Sequence, residues 1–78
     1  MYDYYVEEIE RIGESLDRLV TSSLIAYDEA FHNDIINDTN VLLRELKDDE
    51  ELHEQEKNIL TTLLMAHYRV AVEDINKK

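Results

Sequence analysis

Apolar side chains return every three or four positions along most of this chain, a rhythm that predicts helices. From Tyr5 they fall at Ile9, Ile12, Leu16 and Leu19, and the same register continues through Ser23, Ala26 and Ala30. Alternating steps of four and three keep such positions on one face of an α-helix. A flanking row of Val20, Leu24, Tyr27 and Phe31 widens the stripe and marks Tyr27 and Phe31 as core. Asp3 is a natural N-cap, and Glu7 and Glu8 follow in the first turns, where the macrodipole favours anions. Glu7–Arg11 and Glu14–Arg18 are acid-then-base pairs four apart, worth ~0.2–0.5 kcal/mol each. Gly13 costs ~1 kcal/mol against alanine without ending a helix. One helix over about residues 3–32 is expected.

The segment HNDIINDTN, His32 to Asn40, holds five Asn/Asp residues, whose side chains compete for backbone hydrogen bonds and favour caps and turns. A break is therefore expected there, with Asp34 or Asp38 capping a shorter helix over about 34–47. A continuous helix with Phe31, Ile35, Thr39, Leu42 and Leu46 in one stripe is the alternative. A last helix is expected over about 49–76, with Leu52, Ile59, Leu63, Ala66 and Val70 as its stripe and Leu60, Leu64, His67 and Ala71 alongside. Glu73–Lys77 and Asp74–Lys78 repeat the favourable pairing near its end.

Length turns this pattern into an expectation about assembly. A helix of about 29 residues is ~43 Å long at 1.5 Å per residue. A compact 78-residue domain is only ~30 Å across. The two long helices would protrude, and a second copy is the economical cover for their uncovered Leu, Ile and Val. The expected architecture is thus all-α, a long-helix hairpin or three-helix bundle in one domain over residues 1–78, completed as a homodimer. Should the first break instead fall near Thr21 to Ser23, three similar helices would form a monomeric bundle.

Composition narrows the function. The chain carries 19 acidic and 8 basic residues, a net charge of −11, and 44% hydrophobic residues, too many for a disordered chain. A field of that sign repels nucleic acid and anionic lipid and attracts basic proteins. Cysteine and proline are absent and Gly13 is the sole glycine, so neither a disulfide nor a zinc-thiolate staple is available. No apolar run reaches transmembrane length, and MYDYYVEEIE lacks the cationic start and apolar stretch of a signal peptide; a cytoplasmic chain without a membrane partner is expected.

The stretch KDDEELHEQEK, Lys47 to Lys57, concentrates six carboxylates around His53. Asp48, Asp49, Glu50 and Glu51 suit the cap and first turn of the last helix, each gaining ~0.3–1 kcal/mol from the unsatisfied N–H groups there. Glu54 and Glu56 exceed that need, and a solvated helix face is their plain reading. A metal reading rests on Glu29-x-x-His32 and Glu50-x-x-His53, each placing a carboxylate and an imidazole one turn apart, as in carboxylate-bridged di-iron bundles. His67 adds no third such pair, ligands on loose helix ends are poorly preorganised, and no cofactor is expected.

A third reading is mimicry. Asp3, Glu7, Glu10, Glu14 and Asp17 step by four, three, four and three, a line of charge opposite the apolar stripe and diluted by Arg11 and Arg18. One helix turn advances ~5.4 Å, the same order as the phosphate spacing along a nucleic-acid strand. In charge and size the chain resembles small acidic helical phage-encoded inhibitors of nucleases and other DNA-binding proteins. Enzymatic signals are lacking: there is no phosphate loop and no nucleophile elbow around Ser15, Ser22 or Ser23. The Ser23 hydroxyl is expected to bond back to its own helix. No deep pocket on the ~300 Å³ scale of substrate sites is expected either. Tyr2 and Tyr5 are expected to pack, with a contact patch of Tyr2, Tyr4 and Tyr5 as the alternative.

The expected function is therefore a small acidic, non-enzymatic protein that binds a basic protein surface, for example one that normally holds nucleic acid, without binding nucleic acid itself. Its contact residues are Glu7, Glu10, Glu14 and Asp17, with Glu50, Glu51, Glu54 and Glu56. The alternatives are a scaffolding bundle that works through apolar contacts and a metal bundle using Glu29, His32, Glu50 and His53.

Overall fold

A computed structural model describes residues 2–77. Among them are three helices and no strand: α1 (Tyr2–Ser22), α2 (Glu29–Asp48) and α3 (Glu54–Asn76). They run up, down and up. The start of α1 lies beside the end of α2, where the Tyr4 hydroxyl donates to Glu45 Oε2 at 3.1 Å. The start of α2 lies beside the second half of α3, where His32 Nε2 and the Tyr68 hydroxyl are 3.1 Å apart. α1 and α3 are therefore parallel neighbours, and Gly13 of α1 faces His67 of α3.

The first helix stops ten residues short of the expected end, and its last turn explains why. Ser22 Oγ donates to the Leu19 carbonyl at 3.1 Å and Ser23 Oγ to the Val20 carbonyl at 2.7 Å. The Ser23 back-bond is the one expected: Leu19 still accepts from the Ser23 N–H at 2.9 Å, but Val20 accepts from the Ser23 hydroxyl while the Leu24 N–H turns to Thr21 at 3.2 Å. The backbone then tightens, with Ile25 and Ala26 both donating to Ser22 at 3.0 Å. Asp28 restarts the helix: its backbone is extended and its carboxylate accepts from the Phe31 N–H at 3.0 Å. The break thus falls just after Thr21 to Ser23, the alternative position.

The expected break at 33–40 is absent, and neither Asp34 nor Asp38 is a cap. Asn33, Asp34, Asn37, Asp38 and Asn40 all point outward, while Ile35, Thr39, Leu42 and Leu46 form one buried row. Packing that row overrides the weak local preference of the Asn/Asp residues. Thr39, the buried polar member, donates to the Ile35 carbonyl at 2.8 Å.

The core joins Tyr5, Ile9, Ile12, Leu16 and Leu19 of α1 to the α2 row and to Leu60, Leu64 and Ala71 of α3, with Leu52 of the α2–α3 loop. On α3 the expected order of rows is reversed. Leu60, Leu64 and Ala71 are inside, whereas Ile59, Leu63 and Val70 are 56%, 40% and 54% exposed. Tyr27, expected in the core, is half exposed, while Phe31 packs against the core from its edge.

Helices of 21, 20 and 23 residues are ~30–35 Å long, so each covers the others along their length. No helix reaches the ~43 Å from which the expected protrusion was argued, although the bundle is elongated at 42 × 19 × 15 Å. None of the three helices is long and apolar enough to cross a membrane.

Candidate partner-binding surface

The α1 row emerges where its spacing places it. Asp3, Glu7, Glu10, Glu14 and Asp17 are all exposed, opposite the buried stripe. From Asp3 to Asp17 the row spans ~21 Å at 1.5 Å per residue. Its pairing differs from expectation. Arg11 reaches back to Glu8 at 3.0 Å, and Arg18 reaches Ser15 Oγ at 3.4 Å, so neither Glu7 nor Glu14 has its expected partner. Arg11–Glu8 is the one ion pair among the described residues, which leaves Glu73–Lys77 open as well. The expected Asp74–Lys78 pair falls on a residue outside the described span. Among the described residues the row thus forms no ion pair, with Arg11 and Arg18 beside it.

The acidic stretch at 48–56 is divided among three elements rather than gathered on one helix. Asp48 ends α2, Asp49 is its C-cap, Glu50 and Glu51 lie in the loop, and Glu54 and Glu56 open α3. The expected capping of the last helix by Asp48 to Glu51 is therefore corrected. His53 is the N-cap residue, and its N–H donates to Glu56 Oε1 at 3.1 Å. Asp49 instead holds the loop: Oδ1 accepts from the Glu51 N–H at 2.8 Å and Oδ2 from the Tyr5 hydroxyl at 2.7 Å. The Tyr5 bond, followed by the Glu51 N–H, keeps the Asp49 carboxyl below its usual range. Burial, then the Asp49 bond, holds the Tyr5 phenol well above its own. This tie sets the loop carboxylates Glu50 and Glu51 at the end of the bundle where the α1 row begins.

Tyr5 is buried and Tyr2 packs on the core, as expected, while Tyr4 stands edge-on to Tyr5 with ring centres 5.1 Å apart. The metal candidates separate. Glu29 and His32 lie at the start of α2, Glu50 and His53 beyond its end, ~30 Å away along a 20-residue helix. The His32 ring nitrogens face the hydroxyls of Tyr27 and Tyr68. No group of three or more His, Cys, Asp or Glu side chains among the described residues is placed to hold a metal ion.

A trough of about 350 Å³ runs between α1 and α3, open to solvent rather than the deep pocket whose absence was expected. Asp17 and Val20 line it from α1, and Leu63, Ala66, Val70 and Asp74 from α3. It is an open channel between two helices, and its polar lining is Asp17 and Thr21 from α1 and His67 and Asp74 from α3. The exposed apolar face of α3 was missed because two of its rows fit a helical stripe equally well. The signal was present in the 59–63–66–70 spacing beside 60–64–67–71, one row more than a three-helix core needs.

The chain matches no protein-family model, no curated protein and no solved structure at a significant level.

Proposed function

We propose that this protein is a small acidic, non-enzymatic interaction module whose α1 carboxylates engage a basic protein surface of the kind that normally holds nucleic acid. The observation that carries the reading is the column Glu7, Glu10, Glu14 and Asp17, exposed along one helix face and free of ion pairs among the described residues. Glu10 and Glu14 repel each other at four residues' separation, so the row costs the helix stability rather than adding to it. Glu50, Glu51, Glu54 and Glu56 extend the negative surface from the neighbouring end of the bundle.

The test is recovery of partners from host lysate by the immobilised protein at 50 and 200 mM salt, with duplex DNA as competitor. A partner held at low salt, released at high salt and displaced by DNA is the expected result. The variant Glu7→Gln, Glu10→Gln, Glu14→Gln, Asp17→Asn is expected to lose it. A partner unaffected by salt and by this variant would favour the second reading, a scaffolding bundle that works through apolar contacts. That reading draws on Leu24 and Ile25, 68% and 94% exposed in the α1–α2 loop.

A further inference from the structure

We infer that the α1–α3 trough is the docking site for a basic amphipathic helix of a partner protein. The inference rests on the proposed function and adds the shape of what binds.

The floor of the trough is apolar, with Val20 on one side and Leu63, Ala66 and Val70 on the other. Ile59 continues the α3 row one turn earlier, exposed like Leu63 and Val70. Ile59, Leu63, Ala66 and Val70 step by four, three and four. That is the 3.5-residue seam into which the side chains of one more helix fit as knobs into holes. Over these positions the seam is ~16 Å long, about three turns of a bound helix. Parallel α1 and α3 form the two walls, and Gly13 adds no side chain to the α1 wall.

Charge decides what kind of helix fits. Asp17 and Asp74 line the trough from its two sides, and no lysine or arginine lines it. Glu10 and Glu14 lie outside the trough on the exposed face of α1, without ion pairs among the described residues, and add to the negative field beside it. A second copy would bring the same carboxylates to the seam, each chain carrying −11, and acid would meet acid. Nucleic acid is repelled for the same reason. The complement is an apolar stripe flanked by lysines or arginines, the helix-in-groove mode of recognition with cations at its edges.

The experiment is a titration of the full chain with a synthetic peptide of leucine and lysine, its leucines at alternating steps of three and four. A scrambled peptide of identical composition and a version with glutamate in place of lysine are the controls. The expected result is that the patterned basic peptide binds at least about tenfold more tightly than either control. Leu63→Gln with Val70→Gln should remove that advantage while leaving the helical circular dichroism unchanged and the melting less affected than by Leu64→Ala, because Leu63 and Val70 are 40% and 54% exposed. Asp17→Asn with Asp74→Asn should weaken the patterned peptide more than the acidic one.

Equal binding of the scrambled peptide would overturn the docking site and leave the acidic-surface reading standing. Equal binding of the acidic version would overturn the basic chemistry of the occupant. No binding of any peptide would overturn the docking site. A sedimenting species of twice 9.3 kDa that Leu63→Gln dissolves would assign the trough to a second copy instead, and overturn the inference.

Discussion

α1 and α3 are neighbours of nearly equal length, yet their outer faces differ in kind. α1 buries one row, Tyr5, Ile9, Ile12, Leu16 and Leu19, and turns carboxylates outward. α3 buries Leu60, Leu64 and Ala71 and still shows Ile59, Leu63 and Val70 to solvent. A helix with one apolar face has only one way to pack. A helix with two has a face left over after folding, and the leftover face of α3 lies beside the charged face of α1. The contrast locates the candidate surface better than either helix alone.

The sharpest way to break the comparison is to truncate the two α3 rows separately. Leu64→Ala removes a fully buried side chain and should cost ~2–5 kcal/mol. Leu63→Ala, its neighbour at 40% exposure, should cost about 1 kcal/mol, clearly less. Chemical denaturation measures both, and equal losses would mean that the exposed row is covered in solution.

A smaller effect probes the tie between α1 and the α2–α3 loop. Tyr5→Phe deletes the bonds from the hydroxyl to Asp49 Oδ2 and the Glu45 carbonyl, at a cost of about 1 kcal/mol near neutral pH. The sign of its pH dependence follows from Asp49, whose carboxyl lies below its ordinary 3.8 in the folded chain. The stability it contributes is present above that value and is lost as pH falls through the lower folded one. The gap between parent and variant should therefore close in acid melting curves. A constant gap would place the effect in packing alone.

Next comes the α1–α3 seam itself. A Cβ at Gly13 would sit 3.3 Å from His67 Nδ1 and 3.4 Å from its Cε1, a close approach to the ring of an exposed side chain that is able to pivot away. Gly13→Ala should therefore gain ~0.5–1 kcal/mol from the lower backbone entropy of the unfolded chain and better helix propensity. A loss on thermal melting would show that His67 is held in place. Smallest is the outer face of α1. Glu10→Gln relieves repulsion with Glu7 and Glu14 and should add ~0.2–0.5 kcal/mol, most at low salt. A destabilised Glu10→Gln would mean that the carboxylate has a stabilising partner within the fold.

The same contrast explains what the sequence made legible. The α1 core row and its carboxylate column were readable to the residue, because one stripe and one charged face admit a single register. On α3 the spacing fitted two rows at once, and only the position of α1 decides between them. The end of α1 was misplaced because apolar periodicity runs on through Leu24, Ala26 and Ala30, while the hydroxyls of Ser22 and Ser23 and the Asp28 cap act locally against it. Counting Asn and Asp in α2 misled in the opposite direction, since all but the inward positions tolerate them. Of the acidic stretch, Glu54 and Glu56 are on α3 as expected. The positions of Glu50 and Glu51 depend on the Tyr5–Asp49 bond, a contact across 44 residues that no local pattern carries.

The exposed connection between α1 and α2 has a consequence for how the three rods stay together. Ile25 stands almost wholly in solvent, next to Leu24, in a strap that touches little else. A protease that clips there would sever the covalent link without unseating α1, which packs on both of the others. Loss of structure in the clipped protein would then separate two pieces instead of uncoiling one, and its midpoint would rise with protein concentration, as it does for any two-part assembly.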